Sequence, residues 1–421
     1  MSLKLQEMLD FIHESPVCFF AAANVRKRLL DEGYEELKTL DGIRAGGKYF
    51  LTRNNSALIA FRVPAGEAKG FMISAAHSDS PCLKIRDKAE LDGGVAIRLD
   101  TERYGGMINA CWVDRPLSVA GRVMVRTEKG VAVRLVDLKK DMALIPNMAI
   151  HMNREANEGR KIDVQAEIHP VLSLDGHTTL VALLAETARV AAEDILSSDL
   201  YVYNRSAPSR WGAEGEFISA PRLDDLECVW GTAQGFLAAA EKQELPAIPV
   251  WCLFDNEEVG SSSRQGADST FLSDTLERLA EKIGLTGEAY KIALAKSIMV
   301  SADNAHALHP NYVSSADPVN RPRINGGIVI KYNAAQKYTT DAETSAFFKL
   351  VCEKAGVPWQ VFTNNSNVAG GSTLGNISQN HVSVPSVDIG LAQWAMHSPY
   401  ETAGALDVER LVKATALFYS F

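Results

Sequence analysis

The sequence predicts an α/β protein in which a mixed sheet has helices on both faces and a β-rich domain is inserted. From about Gly215 onward, apolar strand-like segments alternate with helical ones, a pattern typical of a sheet covered on both faces. Residues 90–170 carry short alternating segments between turn residues, which is typical of antiparallel β structure. With 421 residues, the chain is also too long for one ordinary core. We therefore expect an α/β domain of residues 1–89 and 205–421, interrupted by a β-rich domain of residues 90–204.

The beginning of the chain predicts two helices and the first strands of the sheet. Apolar residues recur with helical spacing over 3–14 and 17–32. Residues 48–64 predict a β-hairpin that turns at residues 54–55. "GFMISAAHSDSP", which starts at Gly70, is a short apolar strand that ends in a polar loop.

The rest of the chain predicts further strands and helices in alternation. A helix is expected over about 177–195, and two more lie near 268–283 and 341–355. A further helix is predicted in "DDLECVWGTAQGFLAAAEK". The predicted strands are "EFISAP", "IPVWCLF", "SIMVSAD", "GIVIKYN", "WQVFTN" and "PSVDIG".

Composition excludes several classes of protein. A formal net charge of −9 argues against a nucleic acid or an anionic membrane as partner, because both require a basic face. The six cysteines are scattered and form no CxxC pair, which indicates free thiols in a reducing compartment. The N-terminal segment lacks a cationic head followed by a long apolar run, and no stretch reaches the ~18 apolar residues of a membrane span. We expect a soluble cytoplasmic protein.

Histidines and carboxylates end five of the predicted strands. In open α/β sheets, sites form outside the carboxyl ends of the strands, so these side chains should meet. Each alone has an ordinary explanation as a loop residue or a helix cap. Burying so many carboxylates together would be prohibitive without a counter-charge, which two divalent metals would supply. The residues are His77 and Asp79, Asp224 and Asp225, Asp255, Glu257 and Glu258, Asp303 and His306, and His397.

The adjacent glutamates in "LFDNEEVGSSS" fit such a site. Mixed imidazole and carboxylate ligands suit zinc, and also cobalt or manganese. One carboxylate could bridge two ions roughly 3.5–4 Å apart. Side chains of successive residues in an extended segment diverge, so one glutamate can bind metal while its neighbour acts as a base. The sequence therefore predicts a two-metal hydrolytic site.

Several longer motifs together resemble one known family. They are "SAAHSDSP", "IPNMAIHMNRE", "APRLDDL", "FDNEEVGSSS", "SADNAHALHPNY", "GGIVIKYN", "GGSTLGNI" and "DIGLAQWAMHS". In this order they resemble the M18 family of metalloaminopeptidases, which includes the aspartyl aminopeptidases and aminopeptidase I. The resemblance runs from about residue 74 to 398, and "SPVCFFAAANVRKRL" near the N-terminus is also similar.

The resemblance implies a role for each candidate metal ligand. One metal would be held by His77, Asp224 and Asp303, and the other by His397, Asp224 and Glu258. Asp224 would thus bridge two divalent ions, with zinc as the expected metal. The remaining assignments are Glu257 as general base, Asp79 as the residue that orients His77, and a cis peptide between Asp224 and Asp225.

The resemblance also implies assembly and a substrate pocket. The inserted domain would form dimers, and the dimers a tetrahedral dodecamer. His151 would reach the active site of the neighbouring subunit and help to stabilise the developing oxyanion. Lys331 matches a lysine near the substrate pocket, and Gly371 and Ser372 belong to a loop beside it. This loop departs from the common "CGSTIGP" at Gly370 and Asn376, where cysteine and proline are common, and "MHSPYE" replaces "MHSxRE".

These observations predict an exopeptidase that removes N-terminal residues, including acidic ones, from peptides. The attacking water would be activated by the metals and by Glu257. One alternative is a related two-zinc amidase, deacylase or carboxypeptidase. A third reading, a metal-stabilised assembly or cargo protein, would not need the spare base at Glu257.

Overall fold

The computed structural model describes residues 3–66, 69–159, 161–174, 176–239, 245 and 247–421. The helices are α1 (Leu3–His13), α2 (Cys18–Asp31), α3 (Val164–Glu167), α4 (Leu180–Ala188), α5 (Leu223–Ala239), α6 (Phe271–Lys282), α7 (Glu288–Ala295), α8 (Ala342–Ala355), α9 (Leu374–Ser378) and α10 (Asp407–Phe418). The first ten strands are β1 (Glu35–Glu36), β2 (Lys48–Arg53), β3 (Ala57–Arg62), β4 (Phe71–His77), β5 (Cys82–Asp92), β6 (Ile97–Tyr104), β7 (Leu117–Thr127), β8 (Gly130–Asp137), β9 (Val171–Ser173) and β10 (Ile195–Asn204). The others are β11 (Ser209–Trp211), β12 (Phe217–Ala220), β13 (Ile248–Phe254), β14 (Ile298–Ala302), β15 (Ala305–His306), β16 (Ile328–Tyr332), β17 (Trp359–Thr363), β18 (Ser386–Gly390), β19 (Ala392–Trp394) and β20 (Glu401–Gly404).

The chain divides into two compact units. The first comprises the chain up to Asp79, Pro208–Met396 and Glu401–Phe421. Its main sheet has the strand order β1-β2-β3-β13-β4-β14-β18-β16-β17 and mixes parallel with antiparallel pairs. A second sheet in this unit has the order β11-β12-β20-β19-β15.

The main sheet is covered by helices on both faces, which confirms the predicted fold class. Side chains of β13 alternate between two apolar clusters, because successive residues of a strand point to opposite faces. Trp251 and Leu253 pack in the cluster that contains residues of α1, α2, α5, α8 and α10. Val250 and Cys252 pack in the other, which contains residues of α6, α7 and α9. A strand buried on both faces reads as a continuous apolar run, as "IPVWCLF" does.

The predicted N-terminal elements are confirmed, and one later helix is shorter than predicted. Strands β2 and β3 form the antiparallel hairpin, and residues 54 and 55 both have positive φ, as a tight hairpin turn requires. The helix expected over 177–195 covers only α4. The Thr179 side chain accepts a hydrogen bond from the Ala182 N–H and begins it, and Arg189, with φ of 56°, ends it.

The second unit is a six-stranded antiparallel sheet. It comprises Ser80–Ala207 and His397–Tyr400, and its strand order is β8-β7-β10-β5-β6-β9. The expected domain boundary at residues 89–90 lies inside β5, which pairs with β6 on both sides of this point and with β10 near its start. The unit therefore begins ten residues before the expected boundary. Its own core includes Leu83, Val119 and Val202.

Within the described part of the chain, no helix combines the length and the apolar character that crossing a bilayer demands.

Candidate metal centre

Three neighbouring strands of the main sheet bring their predicted site residues to one edge. Strand β4 is parallel to β13 on one side and to β14 on the other. His77 at the end of β4 pairs with Phe254, directly before the acidic segment, and Asp303 follows β14. The expectation that all ligands leave one sheet is wrong for Asp224, which follows β12 of the five-stranded sheet.

Four side chains form a buried acidic cluster. His77, Asp224, Asp225 and Asp303 each offer a ligand atom, and these atoms lie within 4.8 Å of one another. All four are buried, and Asp225 is completely inaccessible. The peptide between Asp224 and Asp225 is cis, as the resemblance implies. The structure thus brings together the three predicted ligands of the first metal and adds Asp225.

The orientation of His77 suits a metal ligand. Its Nδ1 lies 3.1 Å from the carbonyl oxygen and 3.4 Å from Oδ1 of Asp79, while Nε2 lies 3.5 Å from Oδ1 of Asp224. Metal-binding histidines usually direct one ring nitrogen to the ion and donate the other to an oxygen. The His77 backbone N–H also donates to Oδ2 of Asp225. His77 is therefore fixed at its ring and its backbone.

The electrostatics of the cluster call for a cation. Burial raises the pKa of Asp225 well above its usual range, and the charges of Asp303 and Asp224 raise it further. Burial also raises the pKa of Glu257 to about 8. Burial alone would lower the pKa of His77, but the nearby carboxylates, with Asp225 first, raise it. A buried imidazole among several carboxylates is a donor set for a divalent ion such as zinc, so the residues fit the metal.

Glu257 and Glu258 lie in a tight turn, whereas an extended segment was predicted. Glu257–Val259 is a single 3₁₀ turn, entered through Asn256 in the left-handed region at φ of 61°. Both glutamate N–H groups donate to the carboxylate of Asp79, at 3.1 and 3.2 Å. With three residues per turn, adjacent side chains still point in different directions. Ligand atoms of Glu257, Glu258 and His77 lie within 4.8 Å of one another.

Lys331 is buried, with 2% of its surface exposed. Its Nζ lies 2.7 Å from the carbonyl oxygen of Asp303, 3.4 Å from that of Asn304 and 3.7 Å from Oδ1 of Asp303. Burial lowers the pKa of Lys331, but the charge of Asp303 and other neighbours raises it overall, so the ammonium stays protonated. The predicted substrate cation is thus engaged with a predicted metal ligand.

The structure places His397 and His151 in the second unit. His397 has φ of 67°, and its Nδ1 lies 3.1 Å from the carbonyl oxygen of Gly106. His397 belongs to the second unit, whereas Asp224 and Glu258 belong to the first. His151 is exposed in a turn, between Ile150 and Met152, which are also exposed.

The loop of Gly371 and Ser372 precedes α9, and both residues are exposed. Gly370 and Asn376, which depart from the family pattern, each have a close neighbour in the structure. A Cβ atom at Gly370 would lie 2.6 Å from Oδ1 of Asn364. Oδ1 of Asn376 accepts a hydrogen bond from the backbone N–H of Thr373 at the start of α9.

Asp255 and His306 are further strand-end residues that fall outside these ligand groups. Asp255 is buried and accepts a hydrogen bond from the Asn256 N–H, and burial raises its pKa to about 7. His306 is exposed on β15. Sequence reasoning missed Glu401, which accepts a hydrogen bond from the Asp224 N–H at 2.9 Å. The only available signal was a glutamate at the end of "MHSPYE".

Comparison with known proteins identifies the family of the chain. A family model described as "Aminopeptidase I zinc metalloprotease (M18)" matches residues 11–419. The chain belongs to the M18 family of zinc metalloaminopeptidases. It is therefore a hydrolase of the aminopeptidase class.

Individual relatives match nearly the whole of this chain. A "Probable M18 family aminopeptidase 2" from Clostridium acetobutylicum is 42% identical over 427 residues, which is 99% of this chain and 98% of the relative. The cryo-EM structure of the Ape4 and Nbr1 complex includes a chain with a TM-score of 0.96 and 33% identity, over 99% of this chain and 85% of that one. The mApe1 dodecamer of S. cerevisiae has a TM-score of 0.87 and 25% identity, over 99% and 96%.

Proposed function

We propose that this M18 enzyme removes N-terminal residues from peptides with two metal ions, most simply zinc. His77, Asp224 and Asp303 hold one ion, and His397, Asp224 and Glu258 hold the other. The observation that carries the proposal is the buried cluster of His77, Asp224, Asp225 and Asp303.

Different residues of the chain have different roles in the reaction. When bound, the metals supply Lewis-acid activation of the scissile carbonyl and of water. Glu257 accepts the proton of the attacking water at its carboxylate and then delivers it to the nitrogen of the leaving amine. Asp79 holds the turn of Glu257 and Glu258 through their two N–H groups and orients the His77 ring. Glu257 is the residue that a purely structural metal site would not need.

The requirement for a free amino terminus on the substrate distinguishes an aminopeptidase from the alternative amidase, deacylase or carboxypeptidase. We expect hydrolysis of aminoacyl fluorogenic substrates with a free amine and none when the amine is acetylated. Chelation should abolish the activity, and added Zn²⁺, Co²⁺ or Mn²⁺ should restore it. Equal or faster hydrolysis of the acetylated substrates would contradict the proposal. Activity that is unchanged by chelation would show that hydrolysis does not require a metal.

We also propose that the enzyme accepts substrates whose N-terminal residue is Asp or Glu. A cavity of about 330 Å³ in the first unit is lined by His306, His309, Arg321 and Trp394, among others. Strand β15, which lines it, follows directly after Asp303. A cavity with a guanidinium group and two imidazoles can bind a carboxylate by charge-assisted hydrogen bonds. Gly371 and Ser372 remain proposed contacts of the substrate.

Replacing Arg321 tests this pocket. Arg321→Ala should lower kcat/KM for Asp- and Glu-substrates by roughly 10–100-fold, the value of one hydrogen bond to a charged group. Leu- and Ala-substrates should change little. Arg323→Ala, at an exposed arginine two residues away, is the matched control. An unchanged order of preference among the four substrates would show that Arg321 does not read the side chain.

The proposal also includes assembly and location. Because a solved relative is described as a dodecamer, we propose that this chain forms homo-oligomers, with dimers assembling into a tetrahedral dodecamer. Light scattering of the purified chain measures this directly. The scattered cysteines, which form no CxxC pair, support a cytoplasmic location, which cell fractionation tests.

A further inference from the structure

Lys331 is a charged side chain in the interior of the main sheet. It lies on β16, and β18 separates β16 from β14 in the strand order. With 2% of its surface exposed, it is among the largest fully buried side chains of the described residues. A buried ammonium group is costly unless its donors are satisfied, so its partners indicate what it does.

Those partners belong to the point where β14 ends. The closest is the carbonyl oxygen of Asp303 at 2.7 Å, followed by that of Asn304 at 3.4 Å. The Asp303 carboxylate lies 3.7 Å from the same Nζ. The fourth contact is the ring of Tyr338, whose centroid lies 5.1 Å away. Lys331 therefore binds both the backbone and the charge of Asp303.

Strand β18, which lies between β14 and β16, also binds the backbone of Asp303. The Asp303 N–H donates to the carbonyl oxygen of Ile389 at 3.0 Å. A Cβ atom at Gly390 would lie 2.0 Å from the carbonyl oxygen of Asp303, so this approach needs a glycine. Lys331 completes a frame that fixes Asp303 from two neighbouring strands.

We propose that Lys331 is a positioning residue for Asp303 and that it does not read the side chain of the substrate. The proposal rests on the proposed function, in which Asp303 is a metal ligand. Lys331 fixes the direction of the Asp303 carboxylate and offsets one of the negative charges in the cluster. Replacing a partner that orients a metal ligand typically weakens metal binding by about 10–100-fold.

The test measures zinc affinity and substrate preference in the same variants. In Lys331→Met, the zinc dissociation constant, measured by competition with a chromophoric chelator, should rise ~10–100-fold. At limiting zinc, kcat/KM should fall by a similar factor for Asp-, Glu-, Leu- and Ala-substrates. Lys413→Met, at an exposed lysine of α10, is the matched control. Unchanged zinc affinity with a loss confined to Asp- and Glu-substrates would overturn the proposal.

A second variant keeps the proposal testable if Lys331→Met does not fold. Circular dichroism of the metal-free protein detects such a failure. Lys331→Arg keeps a positive charge but replaces a compact ammonium with a planar, larger group. If Lys331 positions Asp303, Lys331→Arg should bind zinc more weakly than the wild type. The ratio of kcat/KM between Asp- and Leu-substrates should be unchanged. Wild-type zinc affinity in this variant would overturn the proposal. If the wild-type chain itself neither bound zinc nor cleaved peptides, the proposed function would fail instead.

Discussion

Glu257→Gln should retain its metals and lose nearly all turnover. Glutamine has the shape of glutamate but cannot accept the proton of the attacking water. Removing a general base typically costs ~10²–10⁴-fold in rate. The backbone N–H of Glu257, which binds Asp79, is unaffected by the change. KM should therefore change little compared with kcat.

The measurement pairs elemental analysis of bound zinc with steady-state kinetics on a Leu- and an Asp-substrate. Glu281→Gln, at an exposed glutamate of α6, controls for the loss of one negative charge. Activity near that of the wild type, with zinc content unchanged, would show that Glu257 is not the base. Loss of zinc together with activity would instead make Glu257 a ligand.

The sequence predicts those parts of the molecule that are determined locally. The hairpin at residues 54–55 and the two-sided burial of "IPVWCLF" follow from turn chemistry and from apolar patterning, and the structure contains both. Helix α7 was missed because it is short and only Ala293 among its residues is buried. Its periodicity is therefore weak.

The site is less predictable because its geometry depends on distant contacts. Strand ends identify His77 and Asp303, since parallel strands bring their carboxyl ends to one edge. The turn of Glu257 was misread as extended because the left-handed conformation of Asn256 leaves no clear local pattern. The contact between Lys331 and Asp303 joins residues that are far apart in sequence, so no local pattern indicates it.

His151→Ala should likewise be nearly inactive with its metals intact. His151 belongs to the second unit and is exposed, which leaves it available to a neighbouring subunit. We propose that it donates a hydrogen bond to the developing oxyanion in the partner's active site. Losing one such donor typically costs ~10²–10³-fold in kcat. Activity close to that of the wild type would exclude this role.

Mixing two inactive variants shows whether His151 acts between subunits. His151→Ala subunits retain Glu257, and Glu257→Gln subunits retain His151, so a mixed dimer contains one site with both groups only if His151 acts in trans. Random pairing makes half of the dimers mixed, with one working site of two, so about a quarter of wild-type activity should return. If His151 acts within its own chain, every site lacks one group and activity stays at the level of the parents.

Native mass spectrometry must show that mixed dimers formed, and each variant mixed with itself is the control. With mixing shown, absence of recovery would refute action in trans.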